Sequence, residues 1–284
     1  MTLSIKRLIE MALEEDIGTQ DITTDLLIDP DQQGMGVIFA KEAVVVAGIH
    51  VAKEVFLCLD ADVRVRFRCS DGDALEAGRS ILEAEGRIRS LLTGERTVLN
   101  FLQRLSGIAT WVRSHVGMIK ETSVRLVDTR KTTPGWRALE KYAVRMGGAH
   151  NHRMGLYDGI LIKDNHIQSC GSVREAIARI REKAPHLLKI EVEASDLDQV
   201  KEALEAGAEV IMLDNMDIQT IREAVFLIDR RAVIEVSGRV AKEDLRMLVD
   251  AGVDIISMGA LTHSARSVDL SMDIRPVTSR PTGR

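Results

Sequence analysis

Hydrophobic positions along this chain of 284 residues change their period twice. Over residues 3–15, Leu3, Leu8, Met11 and Ala12 fall on one helical stripe. After the turn EDIGTQDIT the pattern shortens to strand-like runs: GMGVIFAKE (34–42), VRVRFRC (63–69) and SILEAEGRI (80–88). Helical spacing returns between them in IHVAKEVFLCL (49–59). In VRVRFR, Val63, Val65 and Phe67 alternate with arginines, which predicts a sheet with one face in water and the arginines solvated. From Ser90 to about Lys120 the pattern is helical again. Gly107 is expected to break it, which sets a domain boundary within residues 105–109.

A second regime follows. VRLVDTR (124–130) predicts a strand, with Pro134 at the first position of the next helix, and GLYDGILIKDN (155–165) predicts a strand ending at Lys163. Four further apolar runs, KIEVE, VIMLDN, VIEVSG and DIISMG, end at Glu193, Asp214, Ser237 and Gly259, spaced 21, 23 and 22 residues apart. Such a spacing suits repeated βα units of a barrel, each roughly 20 residues or more. SVDLSMDI (267–274) reads as a closing strand, for six or seven barrel strands in all. The expected fold is α/β: an N-terminal α/β (α+β) sandwich domain over 1–107, then a six- or seven-stranded α/β barrel over 108–275. Residues 276–284 form a tail expected to pack on the N-terminal domain. Barrel active sites sit on the loops after the strands, so polar residues in register at the strand ends indicate an enzyme.

Composition narrows the field. A chain with 45% hydrophobic and 29% charged residues is an ordinary globular protein. A net charge of −5 and an aromatic content of 3% argue against a nucleic-acid partner. Cys58, Cys69 and Cys170 have no CxxC pairing and suit reduced thiols. The N-terminus reads as an acidic amphipathic helix and not as a signal peptide, and the apolar stretch near Ala43–Ala47 is too short to span a bilayer. The expectation is a cytoplasmic protein without a membrane partner.

Cations dominate the first strand ends: Arg130 and Lys131 after VRLVD, His152 and Arg153 in GGAHNHR, and Lys163 after GILI. So many fixed cations around one mouth call for an anion, and arginine's planar fork matches carboxylate and phosphate. Glu193 and Asp214, on the opposite ends, suit Mg²⁺ or ribose hydroxyls. Ser237-Gly238 and Gly259-Ala260 offer small residues where a backbone can approach a phosphate. Each group taken singly has a structural alternative: a solvated Arg-Lys loop, a hydrogen-bonded His152, a simple Ser-Gly turn. Glu191 is expected to face the other way from Glu193, which leaves one of the two as an ordinary ion-pair partner.

The strings DTRKTTPGWRALEKYAVRMGGAHNHRMGLYDGILIKDNH (128–166), EVEASDLDQV, VIMLDN, EVSG and MGALTHSA resemble the quinolinate phosphoribosyltransferase family, the carboxylating nicotinate-nucleotide pyrophosphorylases of NAD biosynthesis. ALEEDIGTQDITT and GERTVLNFLQRLSGIAT extend the resemblance over nearly the whole chain. It implies transfer of phosphoribose from phosphoribosyl pyrophosphate to quinolinate with Mg²⁺, release of pyrophosphate and CO₂, and a homodimer or a multiple of dimers with shared sites. By the same resemblance Thr129, Arg130, Lys131, His152, Arg153 and Lys163 line the quinolinate and pyrophosphate end, with Lys131, Glu193 and Asp214 as the catalytic set. Glu193 and Asp214 face ribose and metal, while Ser237, Gly238, Arg239, Gly259 and Ala260 hold the 5′-phosphate. Arg96 reaches the dicarboxylate of the neighbouring subunit. Two positions depart from the family pattern, Ala149 and Arg239, where glycines are common. The competing readings are the paralogous pyrophosphorylase of molybdenum-transport operons, nicotinate phosphoribosyltransferase, and a non-catalytic barrel that senses a phosphorylated anion. A monocarboxylate substrate would not call for Arg96, Arg130, Arg153 and Lys163 together.

Overall fold

A computed structural model describes residues 2–277 of the chain. Two compact units form: one from the chain up to Val112, Pro134–Gly148 and the chain from Ala265 on, the other from Arg113–Thr133 and Ala149–Ser264.

The first unit opens with helices α1 (Leu3–Ile17) and α2 (Ile22–Leu27). Strands β1 (Gln33–Ala40) and β2 (Val44–Val45), helix α3 (Ile49–Leu59), strands β3 (Arg64–Phe67), β4 (Ala74–Leu75) and β5 (Ser80–Arg87), and helix α4 (Ile88–Val116) follow. Its four-stranded antiparallel sheet runs Leu270–Pro276, β1, β5, β3. The segment expected to close the barrel is therefore a strand of this first sheet, with Phe39 opposite Ser271 and Ile38 opposite Met272. Its pattern explains the difference: Leu270 and Met272 are buried with half-exposed Ser271 between them, the alternation of an antiparallel strand and not of a doubly buried parallel one.

Helix α4 runs unbroken through Gly107, contrary to the expected break. A glycine costs a helix only about 1 kcal/mol. The residue is small because a Cβ there would fall well inside contact distance of the Arg266 carbonyl oxygen. The boundary expected between 107 and 108 thus lies inside α4, and the tail expected at 276–284 lies, from residue 278 on, outside the described residues. Helix α5 (Arg137–Gly147) starts three residues after Pro134, since Gly135 at φ +81° makes a turn that no helix accommodates. Arg104 joins the pieces of this unit, donating to Ala265 O at 2.6 Å and to the fully buried Glu140 at 2.9 Å.

The second unit holds six parallel strands: β6 (Arg125–Val127), β7 (Ile160–Ile162), β8 (Ile190–Ala194), β9 (Val210–Asp214), β10 (Val233–Ser237) and β11 (Ile255–Ser257). They pair in the order β6-β11-β10-β9-β8-β7, so the last strand rejoins the first as in a barrel with its seam between β6 and β7. The intervening helices are α6 (Asp164–Cys170), α7 (Val173–Lys183), α8 (Leu197–Glu205), α9 (Ile218–Ile228), α10 (Leu245–Ala251) and α11 (Ala260–His263). Side-chain N-caps fix three starts, with Ser172, Asp196 and Asp217 accepting from the amides of Glu175, Gln199 and Thr220. Among the described residues no helix is long and apolar enough to cross a membrane.

Gly107→Ala should lower the thermal midpoint although alanine is the better helix former. Overpacking against a backbone carbonyl costs about 1–3 kcal/mol, so a drop of several degrees in calorimetry is expected. An unchanged or higher midpoint would show that the helix and the Arg266 segment give way freely.

Candidate active site

Inward positions on a strand recur every second residue, and in this barrel they build two layers. The upper layer, Arg130, Lys163, Glu193, Asp214, Ser237 and Gly259, lines a cavity of about 660 Å³ together with Thr129, Lys131, His152, Arg153, Gly238, Arg239 and Ala260. Two residues earlier on each strand stand Asp128, Leu161, Glu191, Met212, Glu235 and Ser257, of which all but Leu161 are buried. Glu191 therefore shares a face with Glu193, contrary to the expectation that it turns away: residues i and i+2 point the same way.

The cations of the mouth are not left uncompensated. Lys163 forms an ion pair with Glu193 directly across β7 and β8. Arg153 donates to Gly159 O at 3.0 Å. Burial, and then the neighbouring Arg130, hold its guanidinium below the usual arginine range, while Glu191, Asp158 and Glu193 oppose that shift. Lys131 is clamped through its backbone: its amide donates to Thr129 Oγ1 at 3.1 Å, and its carbonyl accepts from the fully buried Thr262 Oγ1 at 2.7 Å.

Beneath this mouth Asp128, fully buried, accepts from Asn151 Nδ2 at 2.6 Å and from the His152 amide at 3.0 Å, which fixes the loop that carries His152 and Arg153. His152 Nε2 lies 3.1 Å from Glu191 Oε2 and 3.6 Å from Glu235 Oε1. Its Nδ1 accepts from the Arg153 amide at 2.7 Å. The Glu235 carboxyl is raised well above the usual range, first by burial and then by the charge of Glu191. Glu191 Oε1 and Glu235 Oε1 are buried without a hydrogen-bond partner.

The acidic wall lies on neighbouring strands. Glu193 ends β8 and Asp214 ends β9, where Asp214 Oδ2 accepts from Asn215 Nδ2 at 2.7 Å. Asn215 takes φ +55°, and its side chain fills the space where a residue at 238 would place its Cβ, 2.6 Å from Asn215 Oδ1. Gly238 itself sits at φ +126°, so glycine is required there on two counts. A Cβ at Gly259 would stand 2.8 Å from Lys131 Cδ. The helix after Gly259 is a single turn, Ala260–His263, shorter than the strand-helix pattern suggested. Of the two departures, Arg239 is exposed and lines the cavity, whereas Ala149 is buried.

Sequence reasoning gave no role to Asp128, Glu235 or Asn215. Stepping back two residues from Arg130 and Ser237 would have found the first two; the left-handed backbone of Asn215 leaves no sequence signal beyond an asparagine. Arg96 is exposed on α4 in the first unit, beside a cavity of about 310 Å³ lined also by Asp16, Asp21, Ile22 and Thr23.

A parallel barrel that sets cations and carboxylates across one cavity at its strand ends defines an α/β-barrel enzyme for anionic substrates. The chain belongs to the quinolinate phosphoribosyl transferase family, whose C-terminal domain description matches residues 108–273 and whose N-terminal domain description matches 21–106. It is 46% identical over 272 residues to a probable nicotinate-nucleotide pyrophosphorylase (carboxylating) of Bacillus subtilis, covering 96% of this chain and 94% of that one. It is 41% identical to the nicotinate-nucleotide pyrophosphorylase (carboxylating) of Mycobacterium leprae, with 94% and 95% covered. The crystal structure of NadC from Streptococcus pyogenes superposes with a TM-score of 0.93 at 43% identity, covering 98% of this chain and 99% of that one.

Gly238→Ala introduces both a disfavoured backbone angle and a contact with Asn215. Inorganic phosphate should then bind about tenfold more weakly in calorimetry, a loss of about 1.4 kcal/mol within the cost of a strained residue. Unchanged affinity would argue against an anion site at this corner.

Proposed function

We propose that this chain transfers the phosphoribosyl group of phosphoribosyl pyrophosphate to the ring nitrogen of quinolinate, releasing pyrophosphate and CO₂ and forming nicotinate mononucleotide for NAD biosynthesis. The observation that carries the reading is the division of one cavity into a basic wall, with Arg130, Lys131 and Arg153, and an acidic wall, with Glu193 and Asp214. A dicarboxylate suits the first, and a ribose that gains positive charge suits the second.

Arg130, Arg153 and Lys163 hold the quinolinate dianion with its ring nitrogen toward the anomeric carbon, an orienting effect with a large share in such reactions. As the bond from that carbon to pyrophosphate breaks, the electrons leave with pyrophosphate and the ribose becomes oxocarbenium-like. Glu193 and Asp214 stabilise that charge through the field of the site, and Lys131 stands among the groups that balance the leaving anion. The nitrogen lone pair forms the new bond. The resulting cationic ring accepts the electrons released when the adjacent carboxylate leaves as CO₂, and the ring carbon then takes up a proton. No side chain acts as a nucleophile. Ser237, Gly238, Arg239, Gly259 and Ala260 form the corner for the 5′-phosphate.

The two carboxylates are hard oxygen donors on adjacent strands of one cavity, which fits Mg²⁺ held through one or two carboxylates and substrate oxygens. Glu193 and Asp214 are the residues that would hold it, and bound there it would supply charge neutralisation at the pyrophosphate and ribose oxygens. The three cysteines are free, in keeping with a reducing compartment such as the cytoplasm. Arg96 completes the dicarboxylate site of a second subunit in a homodimer. Its exposure on α4, beside the exposed Ile22, supports that role.

Incubation with quinolinate and phosphoribosyl pyrophosphate should release CO₂ and pyrophosphate in equal amounts; binding of both without release would favour a sensor. Asp214→Asn and Glu193→Gln keep shape but remove charge, so turnover should fall far more than quinolinate affinity. Equal losses would mark these acids as structural. Arg96→Ala and Lys163→Ala should each be nearly inactive as homodimers. Mixed and reassembled, they should regain about a quarter of wild-type activity, from the one intact site of each heterodimer under random pairing. No recovery in heterodimers verified by native mass spectrometry would place Arg96 within its own subunit's function or outside catalysis.

A further inference from the structure

Strand β6 ends at Val127, whose carbonyl accepts from the Met258 amide at 3.0 Å. Lys131 lies four residues beyond that end, in a loop bonded to itself. Thr129 Oγ1 accepts from the Lys131 amide at 3.1 Å, and Arg130 O accepts from the Thr132 amide at 3.0 Å. Thr262 ties this loop to the rim of the barrel. Fully buried in the single turn after β11, it places Oγ1 2.7 Å from the Lys131 carbonyl oxygen and 3.0 Å from that of Gly259. A hydroxyl carries one proton, and the shorter distance assigns it to Lys131. The Lys131 stem in turn lies over Gly259: a Cβ there would stand 2.8 Å from Lys131 Cδ and 3.2 Å from His263 Nε2. One hydroxyl thus joins the backbone of the lysine to the backbone of the glycine beneath its side chain.

We infer that Thr262 is a positioning residue for Lys131: its buried hydroxyl holds the Lys131 carbonyl against the turn after β11, so that the lysine stem lies over Gly259 on its way into the cavity. The inference rests on the proposed reading of Lys131 as a group that balances the leaving pyrophosphate. Thr262 is fully buried and stands apart from the residues that line the cavity, so it acts through the lysine and not on a substrate. A lysine amine rides on a flexible four-carbon stem and loses much rotamer freedom when it is fixed on a ligand. Anchoring the backbone and giving the stem a floor narrows the positions that the amine samples, which lowers the ordering cost when an anion arrives. Valine has nearly the shape of threonine but no proton to give, so the Lys131 carbonyl would lose this bond. Serine keeps the proton and gives up only a methyl group.

Calorimetric titration with inorganic pyrophosphate tests the assignment, with a thermal melt of every variant. Thr262→Val should weaken pyrophosphate binding about tenfold, the loss of one well-made buried hydrogen bond. Quinolinate affinity should stay nearly unchanged, because Arg153 and Lys163 are untouched. Thr262→Ser should bind pyrophosphate as the wild type does. A double-mutant cycle supplies the readout that a merely structural threonine would not move. In the Lys131→Ala background, Thr262→Val should cost less than about twofold, since the group it positions is gone. Additive losses, equal impairment by Ser and Val, or equal weakening of quinolinate and pyrophosphate would overturn the positioning role. So would full pyrophosphate affinity in Thr262→Val. If the melt shows that Val does not fold, Thr262→Ala removes the same hydroxyl and is held to the same outcomes. No pyrophosphate binding by the wild type would overturn the inference together with the reading of Lys131, whereas binding without coupling would overturn the inference alone.

Discussion

Glu191 and Glu235 are carboxylates sealed beneath a mouth of guanidinium and ammonium groups, and the layout of the site follows from where their charge goes. Two unit charges 4 Å apart interact by about 4 kcal/mol at an effective dielectric constant near 20, so Arg130 and Arg153 cannot share a wall without opposing charge nearby. Glu191 supplies part of it from below and Glu193 from beside, and both oppose the depression that Arg130 and burial impose on Arg153. Burial first, and then the charge of Glu191, make a second full charge on the lower layer costly, and together they push Glu235 toward its protonated form. The lower layer thus carries less than two full charges, and His152 Nε2 stands 3.1 Å from the Glu191 member of the pair.

Rigidity in the opposite wall comes from backbone and not from charge. Gly238 is confined by its own torsion and by Asn215, whose amide holds Asp214, so this corner of the cavity and the Asp214 carboxylate are set by a single residue. Thr262, buried and bonded to the Lys131 carbonyl, ties the strand end after β6 to the turn after β11. The Thr262 bond connects the first and last strands of the barrel on the side where the ladder is continuous, and the Asn215 contacts connect β9 with β10. On the seam side the isolated bridge from Val127 to His150 and the bonds of Asp128 take the place of a ladder.

Much of this was legible in the residues. The 21-to-23-residue register of strand ends located the barrel and its polar rim, because an apolar run followed at once by a charge is difficult to place elsewhere in an α/β fold. The buried layer was legible in principle and misread: Glu191 lies two residues from Glu193, and the period of two puts both inside. What the pattern could not reveal were close approaches. Gly107 looked like a helix break and is instead the point where α4 meets the Arg266 carbonyl, and SVDLSMDI looked like barrel because short alternating runs carry no information about their partner strand. Gly135, which delays α5 past Pro134, is a torsion that only coordinates display.

The departure at Arg239 bears on how the two walls divide their work. An exposed cation stands at the corner formed by the small residues Ser237, Gly238, Gly259 and Ala260. A backbone contact is short, directional and insensitive to salt, whereas an exposed arginine adds a longer, screened attraction. The exposed Arg239 and the positive-φ Gly238 beside it would therefore offer an anion two kinds of attraction, one long-ranged and one local. Glu193 is paired with Lys163, whereas Asp214 accepts from the neutral Asn215 amide, so the two acids of the wall stand in different electrostatic surroundings. Adjacent strands β8 and β9 thus carry one carboxylate held by a cation and one held by a neutral donor, and the acidic side of the cavity is graded and not uniform.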